Sequence, residues 1–248
     1  MRRAQRQGDS WSGQWSFPGG RRSPQDQDLM DTALRELREE CGVMLDRHHV
    51  QQSLPPVLAG RRVGAFVWVA PYVFGVDTQL PTVLDEREAV EAVWVSRREL
   101  LDPTRHALSN VPGHPGQRRF PAVDLHGFPL WGFTYRVITE WLGISPEPKA
   151  REKAGFEAAK LVMQSLLSHG LKLERDWASD PTAQPAVPDQ RVAKVATVTG
   201  PIPADLVLEQ LAGHGSQVAS VSYVDVRPEF IRITGLNFEE YQIFARPE

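Results

Sequence analysis

Three carboxylates crowd together in the stretch Arg35-Glu36-Leu37-Arg38-Glu39-Glu40-Cys41-Gly42-Val43. Glu36 and Glu39 are three residues apart, and Glu36 and Glu40 are four apart. A helix puts all three on neighbouring positions of one face. Like charges at that spacing repel each other. A hard divalent cation relieves the repulsion, because Mg²⁺ takes oxygen ligands in octahedral geometry and keeps part of its water shell. Upstream, Phe17-Pro18-Gly19-Gly20 supplies two adjacent glycines, whose backbone can approach a ligand closely. Either feature alone reads as an ordinary turn or a solvated acidic helix; together, at compatible spacing, they read as a metal site.

The element that must position these groups is a helix. Leu29, Ala33, Leu37 and Cys41 recur at helical spacing and give it an apolar face. Gly42 stands where a C-cap glycine ends a helix. Pro24 to Asp28 is rich in helix-start signals, and Asp26 or Asp28 can cap the free N–H groups; for Asp26 a cap is favoured over a ligand. The single cysteine, Cys41, reads as a small buried hydrophobe and leaves no internal disulfide or zinc-type cluster to consider. His48 and His49 point apart as neighbours and read as surface loop. Asp9 to Trp15 carries two tryptophans, Trp11 and Trp15, which either pack on the sheet or wall a ligand site.

At these residues the chain resembles the Nudix hydrolases, whose box reads G-x5-E-x7-R-E-U-x-E-E-x-G-U with U bulky and apolar. Arg35 to Val43 matches the second half throughout. Asp26 stands in place of the first glutamate, with eight residues between it and Arg35. That spacing, the lead-in Gly13-x3-Phe17-Pro18-Gly19-Gly20, and Trp131-Gly132-Phe133-Thr134-Tyr135-Arg136 look like the coenzyme A pyrophosphatase branch. Asp9 departs from it, where the branch usually has arginine. The resemblance covers about the first 145 residues. It implies hydrolysis of a nucleoside diphosphate derivative with Mg²⁺ or Mn²⁺, coenzyme A or acyl-coenzyme A first, and ADP-ribose, nucleotide sugars or dinucleotides as rivals. A catalytically idle nucleotide-binding scaffold is the alternative from another class. Carried over position by position, the metal ligands would be Glu36, Glu39, Glu40 and the carbonyl of Gly20, with Arg35 orienting a box glutamate. The catalytic set would be Arg35, Glu36, Glu39 and a carboxylate from the acidic loop before the next strand, Glu88 ahead of Glu91, as a further metal ligand or a general base. The base stays open among Glu36, Glu39 and Glu88, and a solvated charged loop is the plain alternative for 85–88.

The implied fold is α+β, a Nudix-type α/β/α sandwich with a mixed sheet, plus a small C-terminal α+β unit. The expected division is a Nudix domain over 1–175 with its opening strand shortened or missing, a Pro- and Ala-rich linker over 176–190, and an accessory unit over 191–248. Residues 61–74 read as one or two buried strands. Arg61 and Arg62, at their edge, are candidates for gripping a substrate phosphate through the guanidinium fork. Strands are expected at 195–199, 218–226 and 230–234, and helices at 203–211 and 238–244. That β-α-β-β-α order faintly looks like an RNA-recognition unit without its stacking aromatics. A net charge of −3 gives no reason to expect a nonspecific nucleic-acid or membrane partner. No apolar run is long enough to span a bilayer, and the basic start Met1-Arg2-Arg3 lacks the apolar segment of a signal peptide, so an intracellular location is expected.

Overall fold

The computed structural model describes residues 1–247 apart from positions 10, 60–66, 115, 117, 146–149, 186–190, 213–214 and 238. Helices and a mixed sheet make the chain α+β, as expected. It divides into two compact units, Met1–Ser96 and Arg97–Glu248.

In the first unit, the helix that bears the box, α1, spans Leu29–Cys41. Asp28 is its N-cap, accepting from the amides of Met30 at 2.9 Å and Asp31 at 3.0 Å. Such a cap stabilises a helix by about 1 kcal/mol. Arg47 holds the outer side of that carboxylate at 2.8 and 3.0 Å. Gly42 closes the helix with φ 67°, donating its N–H to Arg38 O at 2.9 Å. A Cβ there would lie 2.8 Å from the carbonyl oxygen of Val83, so space as well as φ demands glycine. Leu29 is 46% exposed, and the buried residues of α1 are Thr32, Glu40 and Cys41. Cys41 is thus the buried small residue expected.

Short strands accompany α1 in this unit. β1 (Arg2–Arg3) pairs antiparallel with β6 (Ala89–Glu91). Between them in sequence, β2 (Val50–Ser53) pairs with β5 (Tyr72–Phe74), and β3 (Val57–Ala59) with β4 (Val67–Val69), all antiparallel. The strands expected to be buried over 61–74 are instead half-exposed where described, with Trp68 68% exposed. Among the described residues the pairing is two strands wide, and a two-stranded ribbon has little to bury itself against. Pro71, which has no N–H to give a ladder, separates β4 from β5.

The second unit is one sheet of eight strands with helices on it. In chain order come α2 (Arg97–Leu101), β7 (His106–Ser109), β8 (Arg118–Leu125), β9 (Phe128–Trp131), α3 (Gly132–Trp141), α4 (Arg151–Ser168), β10 (Lys172–Ala178) and β11 (Arg191–Thr199). Then follow α5 (Ala204–Leu211), α6 (Gly215–Ser220), β12 (Val221–Arg227), β13 (Phe230–Gly235) and β14 (Glu239–Arg246). The sheet order is β10-β11-β14-β13-β12-β8-β7, with β9 on β8. Among the described residues, β11 and β14 are the parallel pair and the other pairings are antiparallel. Ala158, Ala159, Val162, Met163 and Leu166 of α4 share one core with Val198, Ile231, Ile233 and Ile243 of the sheet.

This overturns the expected boundary at 176–190. β10 (172–178), which runs into that segment as far as Ala178, pairs with β11, after it, and β12 pairs with β8. Residues 191–248 are therefore not a separate accessory unit: their strands supply the middle of a sheet whose covering helix comes from 151–168. Two local expectations also change. Residues 218–220 end helix α6 and the strand begins at Val221, while the helix expected at 238–244 is strand β14 where described. The order after the linker becomes β-α-α-β-β-β, so the pattern behind the RNA-recognition likeness is gone. Among the described residues no helix is long and apolar enough to cross a membrane.

Candidate active site

The box side chains converge on Arg35. Its guanidinium takes Asp26 in a two-pronged grip, Nε to Oδ1 at 3.0 Å and Nη2 to Oδ2 at 3.1 Å. The remaining edge reaches Glu36 Oε1 at 2.8 Å and Glu39 Oε2 at 2.9 Å through Nη1. Nη2 also donates to the carbonyl of Arg21 at 3.1 Å. Asp26 is fixed from the other side by the Ser23 amide at 2.8 Å and the Thr32 hydroxyl at 2.9 Å. Arg35, with these donors, holds the Asp26 carboxyl far below the usual carboxylate range. The favoured cap at Asp26 is therefore corrected: Asp28 caps, and Asp26 anchors Arg35. The physical reason is reach, since Asp26 sits two residues before the N-cap and one turn of loop returns it to Thr32 and Arg35.

The glycine turn lies against the same helix. Gly19 donates its N–H to Glu40 Oε2 at 2.8 Å. Gly20 stands so close to Glu36 that a Cβ would lie 2.4 Å from Oε1. Glu40 is buried, 5% exposed, whereas Glu39 is largely in solvent. Burial pushes the Glu40 carboxyl up to about 7; the Gly19 N–H and Arg3 oppose the rise, and the charges of Glu36 and Glu88 add to it.

Glu88 is held near the C-terminal end of α1 by backbone bonds. Val83 N–H donates to Cys41 O at 2.9 Å, Asp85 N–H to Glu40 O at 3.4 Å, and Glu88 N–H to Asp85 O at 2.8 Å. The Glu88 carboxylate itself pairs with Arg6 at 2.7 Å. Glu91, the second choice, pairs with Arg2 at 3.0 Å. Arg61 and Arg62 lie outside the described residues. Trp15 is buried and Trp11 is 51% exposed, so only Trp11 remains available to a ligand. His48 and His49 sit in a short 3-10 turn capped by Asp46, away from metal duty.

The donor set fits a divalent cation in type: three carboxylates on one helix face, a glycine turn lying against Glu36 and Glu40, and a buried acid whose ionisation is resisted first by burial and then by the charges of Glu36 and Glu88. In the present arrangement, however, no group of three or more His, Cys, Asp or Glu side chains among the described residues forms a ready metal cage. Arg35 occupies Glu36 and Glu39 instead. Sequence reasoning placed Arg35, Glu36, Glu39, Glu40, Gly20 and Glu88 in one region, and the structure places them in one unit. It missed Asp26 as the anchor of Arg35 and Arg6 as the partner of Glu88. The first had a signal in the register of the box; the second, a contact across eighty-two positions, had none.

Comparison with known proteins agrees with this geometry. Residues 1–114 match the NUDIX domain family model. The human protein named mitochondrial coenzyme A diphosphatase NUDT8 is 35% identical over 132 residues, which are 52% of this chain and 54% of that protein. Its mouse counterpart is 37% identical over 131 residues, 52% of this chain and 60% of that protein. A Yersinia pestis protein named uncharacterized Nudix hydrolase NudL is 34% identical over 127 residues, 51% of this chain and 62% of that protein. The chain thus spans between about half and three-fifths of the relatives it matches. The box helix, its glycine turn and the match to the NUDIX domain family model all fall in one stretch, residues 1–114.

Proposed function

We propose that the chain is a metal-dependent diphosphatase that cleaves the phosphoanhydride of a nucleoside diphosphate derivative, with coenzyme A or an acyl-coenzyme A as substrate. The observation that carries this reading is Glu40, a buried acid facing Glu36 and Glu88 under the Gly19 amide. A structural helix gains nothing from that arrangement, whereas a cation site requires it. Glu36, Glu39, Glu40 and the carbonyl of Gly20 would hold the ion. Bound there, Mg²⁺ or Mn²⁺ would offset the charge of the pyrophosphate oxygens and lower the pKa of a coordinated water. Arg35, anchored on Asp26, orients Glu36 and Glu39. Glu88, not needed to hold the ion, takes the proton from the attacking water. The choice of substrate rests on the relatives named as coenzyme A diphosphatases. An intracellular location belongs to the same proposal, on the strength of the relatives named as mitochondrial.

The test is a hydrolysis panel of coenzyme A, an acyl-coenzyme A, ADP-ribose, NADH and a diadenosine polyphosphate, each with Mg²⁺, with Mn²⁺ and with chelator. Release of adenosine 3′,5′-bisphosphate and a phosphopantetheine, lost in chelator, is the expected result. Preference for ADP-ribose or a dinucleotide would keep the chemistry and replace the substrate. No turnover on any of the five would reject the hydrolase and leave a nucleotide-binding scaffold.

A further inference from the structure

We propose that Arg6 is a positioning residue for catalysis, clamping the Asp85–Glu88 turn so that Glu88 is presented at the end of the box helix. The proposal rests on the diphosphatase reading above. Arg6 spans two consecutive residues of that turn. Its Nε donates to the carbonyl of Arg87 at 2.9 Å, its Nη2 reaches the same oxygen, and Nη2 also meets Glu88 Oε1 at 2.7 Å. An exposed ion pair alone contributes little. The difference here is bridging: one planar guanidinium ties a main-chain oxygen to the adjacent carboxylate, which fixes the side chain relative to its own backbone. The turn is in turn bonded to α1, through Asp85 N–H to Glu40 O, and to β1's neighbour Ala4, whose N–H donates to Glu88 O at 2.8 Å.

Arg6 is itself braced. The Ser12 hydroxyl accepts from Arg6 N–H and donates to Arg6 O, both at 2.8 Å, closing the loop on one residue. Asp9 ties the same loop to Arg3 at 2.7 Å and accepts from the Trp11 amide at 2.9 Å. Asp85, meanwhile, is hydrogen-bonded by Arg87, at 3.0 and 2.6 Å, while the hydrogen bonds of Arg6 to this turn go to Arg87 O and its ion pair to Glu88.

The test compares Arg6→Ala, Arg6→Lys, Glu88→Gln and the double variant Arg6→Ala/Glu88→Gln on whichever diphosphate the wild type cleaves. Arg6 is exposed, so its variants fold. Arg6→Ala is expected to lower kcat roughly tenfold with KM unchanged, as for a misplaced catalytic group. Lysine can pair with Glu88 but cannot bridge both oxygens, so Arg6→Lys recovers part of the loss. In the Glu88→Gln background, Arg6→Ala should cost nothing further. Amide hydrogen exchange should quicken across 85–89 in Arg6→Ala while 29–41 is unchanged. Wild-type kcat in Arg6→Ala, or a full loss that persists in the Glu88→Gln background, overturns the proposal alone. A wild type that cleaves no diphosphate overturns the hydrolase reading and this proposal together.

Discussion

Replacing Glu40 by glutamine separates a site acid from a structural one. The carboxyl is buried and pushed from an ordinary 4.5 to about 7. Because the folded value is raised, the protonated form is favoured in the native state. The associated stability is complete below about pH 4.5 and is lost as pH rises through 7. At about 1.4 kcal/mol per pH unit, the ionised side chain costs the metal-free fold at most about 3 kcal/mol by pH 8. Glutamine is nearly isosteric with the protonated acid and still offers an oxygen to the Gly19 N–H. Urea unfolding in EDTA should therefore find wild type and Glu40→Gln equally stable at pH 4.5. At pH 8 the variant should be the more stable by up to about 3 kcal/mol. The same substitution should remove most metal-dependent turnover. A stability difference that does not change with pH, or a variant destabilised throughout, would refute the reasoning, since either would mean that burial and the nearby carboxylates do not resist the Glu40 charge.

Two further substitutions probe the frame around it. Asp26→Asn removes the charge that grips Arg35 along two bonds, so Arg35 loses its fixed orientation and kcat should fall roughly tenfold. Its depressed pKa gives wild type a stability that is present above the ordinary value near 3.8 and fades as pH falls; thermal melts of wild type and variant should therefore converge under acid. Gly20→Ala drives a methyl into Glu36 Oε1, the far end of a flexible side chain that can shift at the expense of its bond to Arg35. The fold should persist while Mn²⁺ affinity, read by titration calorimetry, drops roughly tenfold; unchanged affinity would remove Gly20 and Glu36 from the ligand set.

Helix α1 was legible because its signals are local. A capping aspartate, helical spacing and a terminal glycine lie within fifteen residues, and the helix starts and stops by them, although of the apolar stripe Leu29, Ala33, Leu37 and Cys41 only Cys41 is buried. Strand β14 was not. Tyr241 and Ile243 face the core shared with α4, yet Glu240 and Gln242 on the opposite face are buried as well. With both faces covered, polar and apolar residues no longer report inside and outside, and period two is hard to tell from a helix. Pairing with β11 and β13 decides the matter, and those partners are distant in sequence. The box could be read as a list of ligands, but the way Arg35 now holds Glu36 and Glu39 depends on Asp26 returning over the helix start, which only the folded loop shows.

The place of β14 in the second unit has a consequence for biogenesis. It stands between β11 and β13 and, among the described residues, is the strand that joins the two halves of that sheet. Until residues 239–246 have left the ribosome, a nascent chain would display two open strand edges on separate half-built ribbons. This unit should therefore mature late and in one step, and a premature stop shortly before Glu239 should yield insoluble product instead of a slightly smaller protein.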